Sequence, residues 1–444
     1  MAYLAVRSFT TIGYIGGILL IGVVAVLALT SLGDGNGSEP PAGAGTTATD
    51  AAKTPGGEEP TDDDTEVVTV GPSGDFTSIN EAIEEASPGG IVEIGAGVYD
   101  EQVFIDDTVT LRPAGDGEVW IDRNCAEGSG IHVRSGSRVV IQGIGIRNTD
   151  SAGVIIGFTE EGEEVPEYVT VDGMSIENFN CPDSEDQYNA GIAVWTAGCC
   201  MTITNNTITY RTSGFVKGWG NGIWFKSTDE QPSGGGHTVS GNTITGGWDG
   251  IGGEAEGDDH GTFDRDSVIE GNIVRDCWDD GIQVEGGNVN IRVTGNTVSG
   301  CGTGIAFAPT KIGPLYVERN YIHDLSIGEY ENLFCFKIGY EQPGEVYLTE
   351  NRCQTEGDGI LKTNAGLPTI ISRGNCFNVT RYVLTMSDSV PPGTSFDGDT
   401  MWTSDPQRFV EWRDTQYYSL EEFQAGTGFE ATGRESPDCH LDQG

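Results

Sequence analysis

Three copies of one short phrase carry the residues best suited to chemistry: Asn221-Gly-Ile-Trp-Phe-Lys, Asp249-Gly-Ile-Gly-Gly-Glu and Asp280-Gly-Ile-Gln-Val-Glu. Read as strands, they put Lys226, Glu254 and Glu285 at the same outward position, because side chains alternate along a strand. Stacked copies would set the two glutamates ~5 Å apart. That is close to the ~5–5.5 Å of retaining glycosidases. Like charges so close push one carboxyl upward, giving a proton donor beside an ionised partner. Glu254, Glu285 and Asp280 could instead bind Ca2+, which takes six to eight oxygens. Such a cation would neutralise a uronate, and Lys226 could then abstract the α-proton for β-elimination. Asp249 and Asp280 open two of the phrases. Trp195, Trp224, Trp248 and Trp278 flank the ladder as flat platforms for sugar rings. The insert after Glu254 adds His260 as a candidate acid–base group and Arg265 as a substrate contact. Blander readings stand beside these. The ladder is also what a solvated acidic stripe looks like. An Asp before Gly can simply cap a turn. A loop histidine can merely be exposed, and a tryptophan can shield a coil edge.

The ladder needs strands in register. Its full column reads Trp195, Lys226, Glu254, Glu285, Ala308 and Lys337, and the preceding outward column reads Ala193, Trp224, Gly252, Gln283 and Ala306. A second repeated phrase, of the type TVSGNTITG, supplies the period. Its asparagines are Asn206, Asn242, Asn272, Asn296, Asn320, Asn351 and Asn375, spaced by 36, 30, 24, 24, 31 and 24 residues. A constant minimum with variable additions is how a solenoid with loop insertions reads. Short β-branched runs, turns marked by Gly and Asx, and no helices between them predict an all-β, right-handed parallel β-helix. An antiparallel sandwich would alternate strictly and would not repeat one asparagine. The asparagine column is expected to be structural, its stacked amides bonding the turn backbone. Ser78 and Glu81 form a capping box before the apolar face Ile79, Ala82, Ile83 and Ala86, so a short N-terminal capping helix is expected.

The chain of 444 residues has 23 Lys and Arg against 68 Asp and Glu, a net charge of -45. That balance repels nucleic acid and suits solubility in high salt, where screening is short-ranged. Residues 12–32 are apolar on every face and long enough to cross ~30 Å of hydrocarbon. Arg7 precedes them and no Lys or Arg follows until Lys53, so the expectation is a single transmembrane anchor with the rest of the chain outside. A cleaved signal peptide is the rival. The expected organisation is a cytoplasmic tail 1–11, an anchor 12–32, a flexible acidic linker 33–65, a β-helix 66–385 and a C-terminal capping tail 386–444. The ten cysteines lack CxxC spacing, which points away from zinc and towards disulfides in an oxidising compartment. Cys277 and Cys301 follow Asn272 and Asn296 at the same interval and are expected to pair across adjacent coils. Cys335, Cys353, Cys376 and Cys439 are expected to tie the C-terminal coils, with connectivity open.

The segment Val68–Pro113, with its Gly97-Val98-Tyr99, resembles the opening of pectin-lyase-like β-helix repeat proteins of haloarchaeal type. The resemblance spans residues 67 to about 385, and the tail Ser419–Asp438 is similar to the closing segment of some members. It implies the fold. It does not imply one chemistry, since the superfamily holds lyases, hydrolases, esterases and non-catalytic proteins. The pectin methylesterase motifs are absent. Asn148-Thr149-Asp150 and Asp279-Asp280 look like polygalacturonase fragments but lie too far apart in sequence, and the remaining motifs of that family are missing.

Two functional readings follow. One is a membrane-anchored surface enzyme, a lyase or glycosidase, on an acidic, uronate-containing polysaccharide, with Ca2+ as its one candidate cofactor. The other is a non-catalytic carbohydrate-binding or envelope-structural protein. The partner in either case is a polysaccharide or cell-surface glycan.

Overall fold

The computed structural model describes residues 65–439 except 159–163, 182–188, 196–197, 211–219, 229–232, 254, 257–259, 327–332, 340–343, 364–365, 387–388 and 390. The expected anchor and linker lie outside these residues. Among the described residues no helix is long and apolar enough to cross a membrane.

The chain winds as a β-helix whose coils contribute to three long sheets. The first sheet runs from Val67–Val70 to Ser395–Asp397, the second from Gly97–Tyr99 to Arg434–Glu435, and the third from Val103–Ile105 to Thr415–Tyr417. Each strand pairs in parallel with its counterpart one coil away, as Thr238–Ser240 does with Val268–Glu270. The antiparallel exception is the final hairpin, Val410–Trp412 with Thr415–Tyr417. Inside, β-branched residues stack in columns, such as Ile192, Ile223, Ile251, Ile282 and Ile305, all fully buried. Parallel stacking continues beyond residue 385, through Ser395–Asp397 and Thr400–Thr403. The first part of the expected tail is therefore a further coil.

Helix Ile79–Glu85 begins at Ser78, whose side chain accepts from the Glu81 amide, and buries Ile79 and Ala82 against the first coils. At the other end, helix Leu420–Thr427 lays Leu420 and Phe423 on the core, where Trp412, Phe423 and Phe429 meet edge to face.

The asparagine column is a continuous ladder. Each amide Nδ2 donates to the Oδ1 of the next coil's asparagine, from Asn206 to Asn375, at 2.9–3.0 Å. It also donates to a strand carbonyl, as Asn296 does to Ile269 O at 2.9 Å. Buried amides thus satisfy the backbone at every corner, which is why one residue type recurs there. The ladder ends in carboxyls: Asn375 Nδ2 donates to Asp399 Oδ1 at 3.0 Å, and the Asp399 amide donates to Glu430 Oε2 at 3.0 Å.

Disulfides staple the coils. Cys277 and Cys301 are joined across adjacent coils with Cα atoms 4.6 Å apart. Cys335 pairs with Cys353 and Cys376 with Cys439, resolving the open connectivity. Cys125–Cys181 and the neighbours Cys199–Cys200 are also joined.

Candidate functional site

The third sheet carries the phrases that open with Asx-Gly-Ile, and its register decides which side chains meet. Trp195 lies opposite Lys226, and Ala193 opposite Trp224 and then Gly252, as expected. Gln283 pairs with Ala306, and Ala306 with Lys337. Lys337 therefore belongs to the Gln283 column, not to the column of Lys226 and Ala308. The coil Phe334-Cys-Phe-Lys lacks the Asx-Gly mark that sets the phase elsewhere, so spacing alone misplaced it.

That register builds a site at the start of the strands. Asn221, Asp249, Asp280 and Thr303 occupy one corner in four successive coils. The Asp249 amide donates to Asn221 Oδ1 at 3.1 Å, and the Asp280 amide donates to Asp249 Oδ1 at 3.0 Å. Asp249 is 6% exposed and Asp280 1%. From two coils further on, Lys337, whose neighbour one coil back is the small Ala306, reaches back to this corner. Its Nζ donates to Asp280 Oδ2 at 2.9 Å. Burial, and then the neighbouring Asp280 and Asp279, push the Asp249 carboxyl well above its ordinary range. Burial would lower the Lys337 ammonium, but Asp280 and Asp279 outweigh it and raise it. The corner thus sets a carboxyl raised by burial and by like charge beside the Asp280–Lys337 ion pair. Asp280 Oδ1, buried, has no hydrogen-bond partner. Neither does Gln283 Oε1, whose amide nitrogen donates to Glu285 Oε1 at 3.0 Å.

The tryptophans divide into two kinds. Trp248 and Trp278, half-buried at the corner beside Asp249 and Asp280, stack with ring centroids 6.3 Å apart and planes 29° from parallel. Trp195 and Trp224 instead meet edge to face at 5.2 Å within an outer apolar cluster with Ala152, Ala190 and Ala193, and are only 7% and 8% exposed. They wedge against the outside of the sheet and offer little platform. Gly253, with φ +139°, is required there: a Cβ would stand 2.0 Å from Trp224 Cδ1.

The remaining expected residues lie at the other end of the strands. Five residues separate Asp280 from Glu285, roughly 16 Å of extended chain. Glu254 lies outside the described residues. Beyond it the insert turns back, so that Gly261 bridges Gly286 and the Thr262 amide donates to Glu285 O at 3.0 Å. The insert's return therefore borders Glu285 on the side where the ladder expected Glu254. His260 Nδ1 sits 3.1 Å from Asp264 Oδ1, and Arg265 Nε 3.4 Å from Asp264 Oδ2. Those two residues form a separate cluster around a buried carboxylate. The structure thus brings together Asp249, Asp280, Trp248 and Trp278, and sets Lys226, Glu285, His260 and Arg265 apart from them. Lys337 and Gln283 were missed as site residues.

Of the three carboxylates expected to hold Ca2+, Glu285 is distant from Asp280 along the strand, and Asp280 already faces the Lys337 ammonium. Among the described residues, no group of three His, Cys, Asp or Glu is placed to hold a metal ion. Asp280 and Glu285, the two of these carboxylates that lie among the described residues, do not form a cation site by themselves.

Residues 129–329 and 233–393 match the family model of the right handed beta helix region, and the chain belongs to that family. No curated protein sequence matches it. Among solved structures, a double mutant of the tailspike protein of E. coli bacteriophage HK620 aligns with TM-score 0.50 and 11% identity, over 78% of this chain and 68% of that one. The same tailspike in complex with a pentasaccharide aligns with TM-score 0.46 and 11% identity, over 78% and 73%. At such identity the likeness is one of fold.

Proposed function

We propose that this chain is a polysaccharide-processing β-helix whose acid–base pair is Asp249 and Asp280. The observation that carries the reading is a buried carboxyl, raised by burial and like charge, one coil from an ion-paired carboxylate and beside a stacked tryptophan pair. Asp249 protonates the leaving glycosidic oxygen. Asp280, held on one oxygen by Lys337, serves as base or nucleophile through the other. Adjacent coils separate such groups by ~5 Å, in the range for retention of configuration. Trp248 and Trp278 support a sugar ring beside the pair. The complexes of the tailspike with oligosaccharides agree with a glycan partner on this fold. Anchoring by residues 12–32 would hold the β-helix outside the cell, where polymeric glycans are met.

The burial of both aspartates favours a second reading, a rigid non-catalytic binding face. The assay that separates them follows reducing ends and unsaturated products on neutral and acidic polysaccharides in high salt, with and without calcium. Turnover lost in Asp249→Asn and Asp280→Asn, at unchanged melting temperature, supports catalysis. Binding without turnover in the wild-type chain selects the second reading.

A further inference from the structure

Three segments of the chain read Asn-x-Ser or Asn-x-Thr: Asn36-Gly37-Ser38, Asn205-Asn206-Thr207 and Asn378-Val379-Thr380. In a secreted chain this triplet marks an asparagine whose side-chain nitrogen takes a glycan. The disulfides that staple the coils are what an oxidising compartment leaves in a chain. Asn36 lies outside the described residues. The fold treats the other two asparagines differently. Asn205 stands at the turn between strands Thr202–Thr204 and Thr207–Thr209, where the first sheet passes to the second. Asn206 points inward as a ladder amide, while Asn205 and Thr207 are both exposed. The same turn position in the two adjacent coils is glycine: Gly173 at φ +63°, Asn205 at +57°, Gly241 at +65°. Left-handed backbone favours asparagine among non-glycine residues. It does not require it, since Arg319 and Glu350 hold this turn position in later coils at φ +53° and +56°. The glycines on either side leave the Asn205 amide uncrowded. A Cβ at Gly241 would stand 2.9 Å from Asn205 Oδ1, and one at Gly173 would meet nothing within 4 Å. Asn205 Nδ2 donates to Asp172 Oδ1 at 2.8 Å. A primary amide has two hydrogens, so a sugar can replace one while the other keeps that bond. Asn378 is held far more closely. It lies within strand Cys376–Val379, paired with the coils on both sides, and is half-buried. Its Nδ2 donates to Pro437 O at 3.0 Å, in the tail that Cys376–Cys439 ties down beside it. An enzyme reaching that nitrogen would have to lift the tail.

We propose that Asn205 is an N-glycosylation site of the folded chain and that Asn378 is not. A glycosyl donor activated by a phosphate leaving group supplies the sugar. The bond from Nδ2 to the sugar C1 forms, the bond from C1 to the phosphate oxygen breaks, its electron pair leaves with the phosphate, and one amide proton is lost to base. The glycan then projects from the edge between the first and second sheets. The corner of Asp249 and Trp248 lies between the second and third sheets, so the glycan leaves it open.

The test isolates the full chain from the cells that make it naturally, digests it and weighs the peptides by mass spectrometry. The peptide holding Asn205 should be heavier by a whole number of sugar residues, and the peptide holding Asn378 should have its bare mass. Asn205→Gly keeps the turn conformation of the adjacent coils, and Thr207→Val keeps the β-branched shape without the hydroxyl. Each should abolish the added mass at unchanged circular dichroism. A bare Asn205 peptide in the natural chain overturns the inference, and so does sugar on Asn378. Sugar that persists in Asn205→Gly but is lost in Thr207→Val is O-linked and also overturns it. The polysaccharide reading rests on a different corner and stands or falls separately.

Discussion

At the scale of single residues, the chemistry rests on groups whose charge is set by burial. Asp249→Asn should lower kcat by about 10²–10⁴, the usual contribution of a positioned proton donor. Because the Asp249 carboxyl is raised, wild-type activity should fall on the alkaline side as that group ionises, and a pH–rate profile reads the limb directly. Lys337→Met leaves Asp280 buried without its ammonium. It should cost about 3–5 kcal/mol of stability, measured by denaturant unfolding, since removing one partner of a buried pair strands the other. His237 is a contrasting case. Burial depresses its imidazole to about 4, and its Nδ1 accepts from the Met201 amide at 3.2 Å. It is a neutral structural histidine, and it contributes stability that is lost as pH falls from its ordinary range towards 4.

At the scale of elements, the asparagine ladder and its carboxyl terminus make separate predictions. Asn296→Ala deprives the Asn272 amide and the Ile269 carbonyl of their partners. At about 1–3 kcal/mol for each orphaned group, the loss is roughly 2–6 kcal/mol, visible as a lower midpoint in thermal unfolding. At the C-terminal end, burial, and then the Asp399 charge, raise Glu430 to about 9. Glu430 therefore carries a proton in the folded state across a range where the unfolded chain has released it. Stability should decline as pH rises from about 4.5 towards 9. Glu430→Gln keeps the acceptor for the Asp399 amide and removes the titration. Its melting temperature should exceed the wild-type value at alkaline pH and match it at acidic pH.

At the scale of the whole molecule, a net charge of -45 works against compaction, and a stapled solenoid works for it. Among the described residues no cysteine is free. Raising salt should raise the melting temperature and then level off near molar concentrations, where the screening length is about 3 Å. A melting temperature indifferent to salt would show that self-repulsion is not what the acidic surface contributes.

The coil architecture was legible because a solenoid writes its period into the chain. Each asparagine must satisfy the same corner, so the repeat survives insertions, and the Cys277–Cys301 pairing follows from that register alone. The stacked columns through Trp224 and Gln283 were legible for the same reason. Two things were not. Lys337 sits in a coil without the Asx-Gly mark, so its column could not be counted. The Lys226, Glu254 and Glu285 ladder assumed that every coil runs straight to the strand end. Past Gly252 and Gly253, both at positive φ, the chain still pairs in the expected register with the Lys226 strand, Ala255 opposite Ser227 and Glu256 opposite Thr228; the insert comes after that, and its return borders Glu285, so the step to Glu285 is the one interrupted.

Sequence by itself determined the fold class, the corner asparagines and the repeated aspartates, because periodic burial constrains residue types locally. Only the tertiary structure decided which charges meet. Lys337 finds Asp280 from 57 residues away, and the burial that raises the Asp249 carboxyl comes from neighbouring coils. Charge state depends on distance and desolvation in three dimensions, and no spacing along the chain records either.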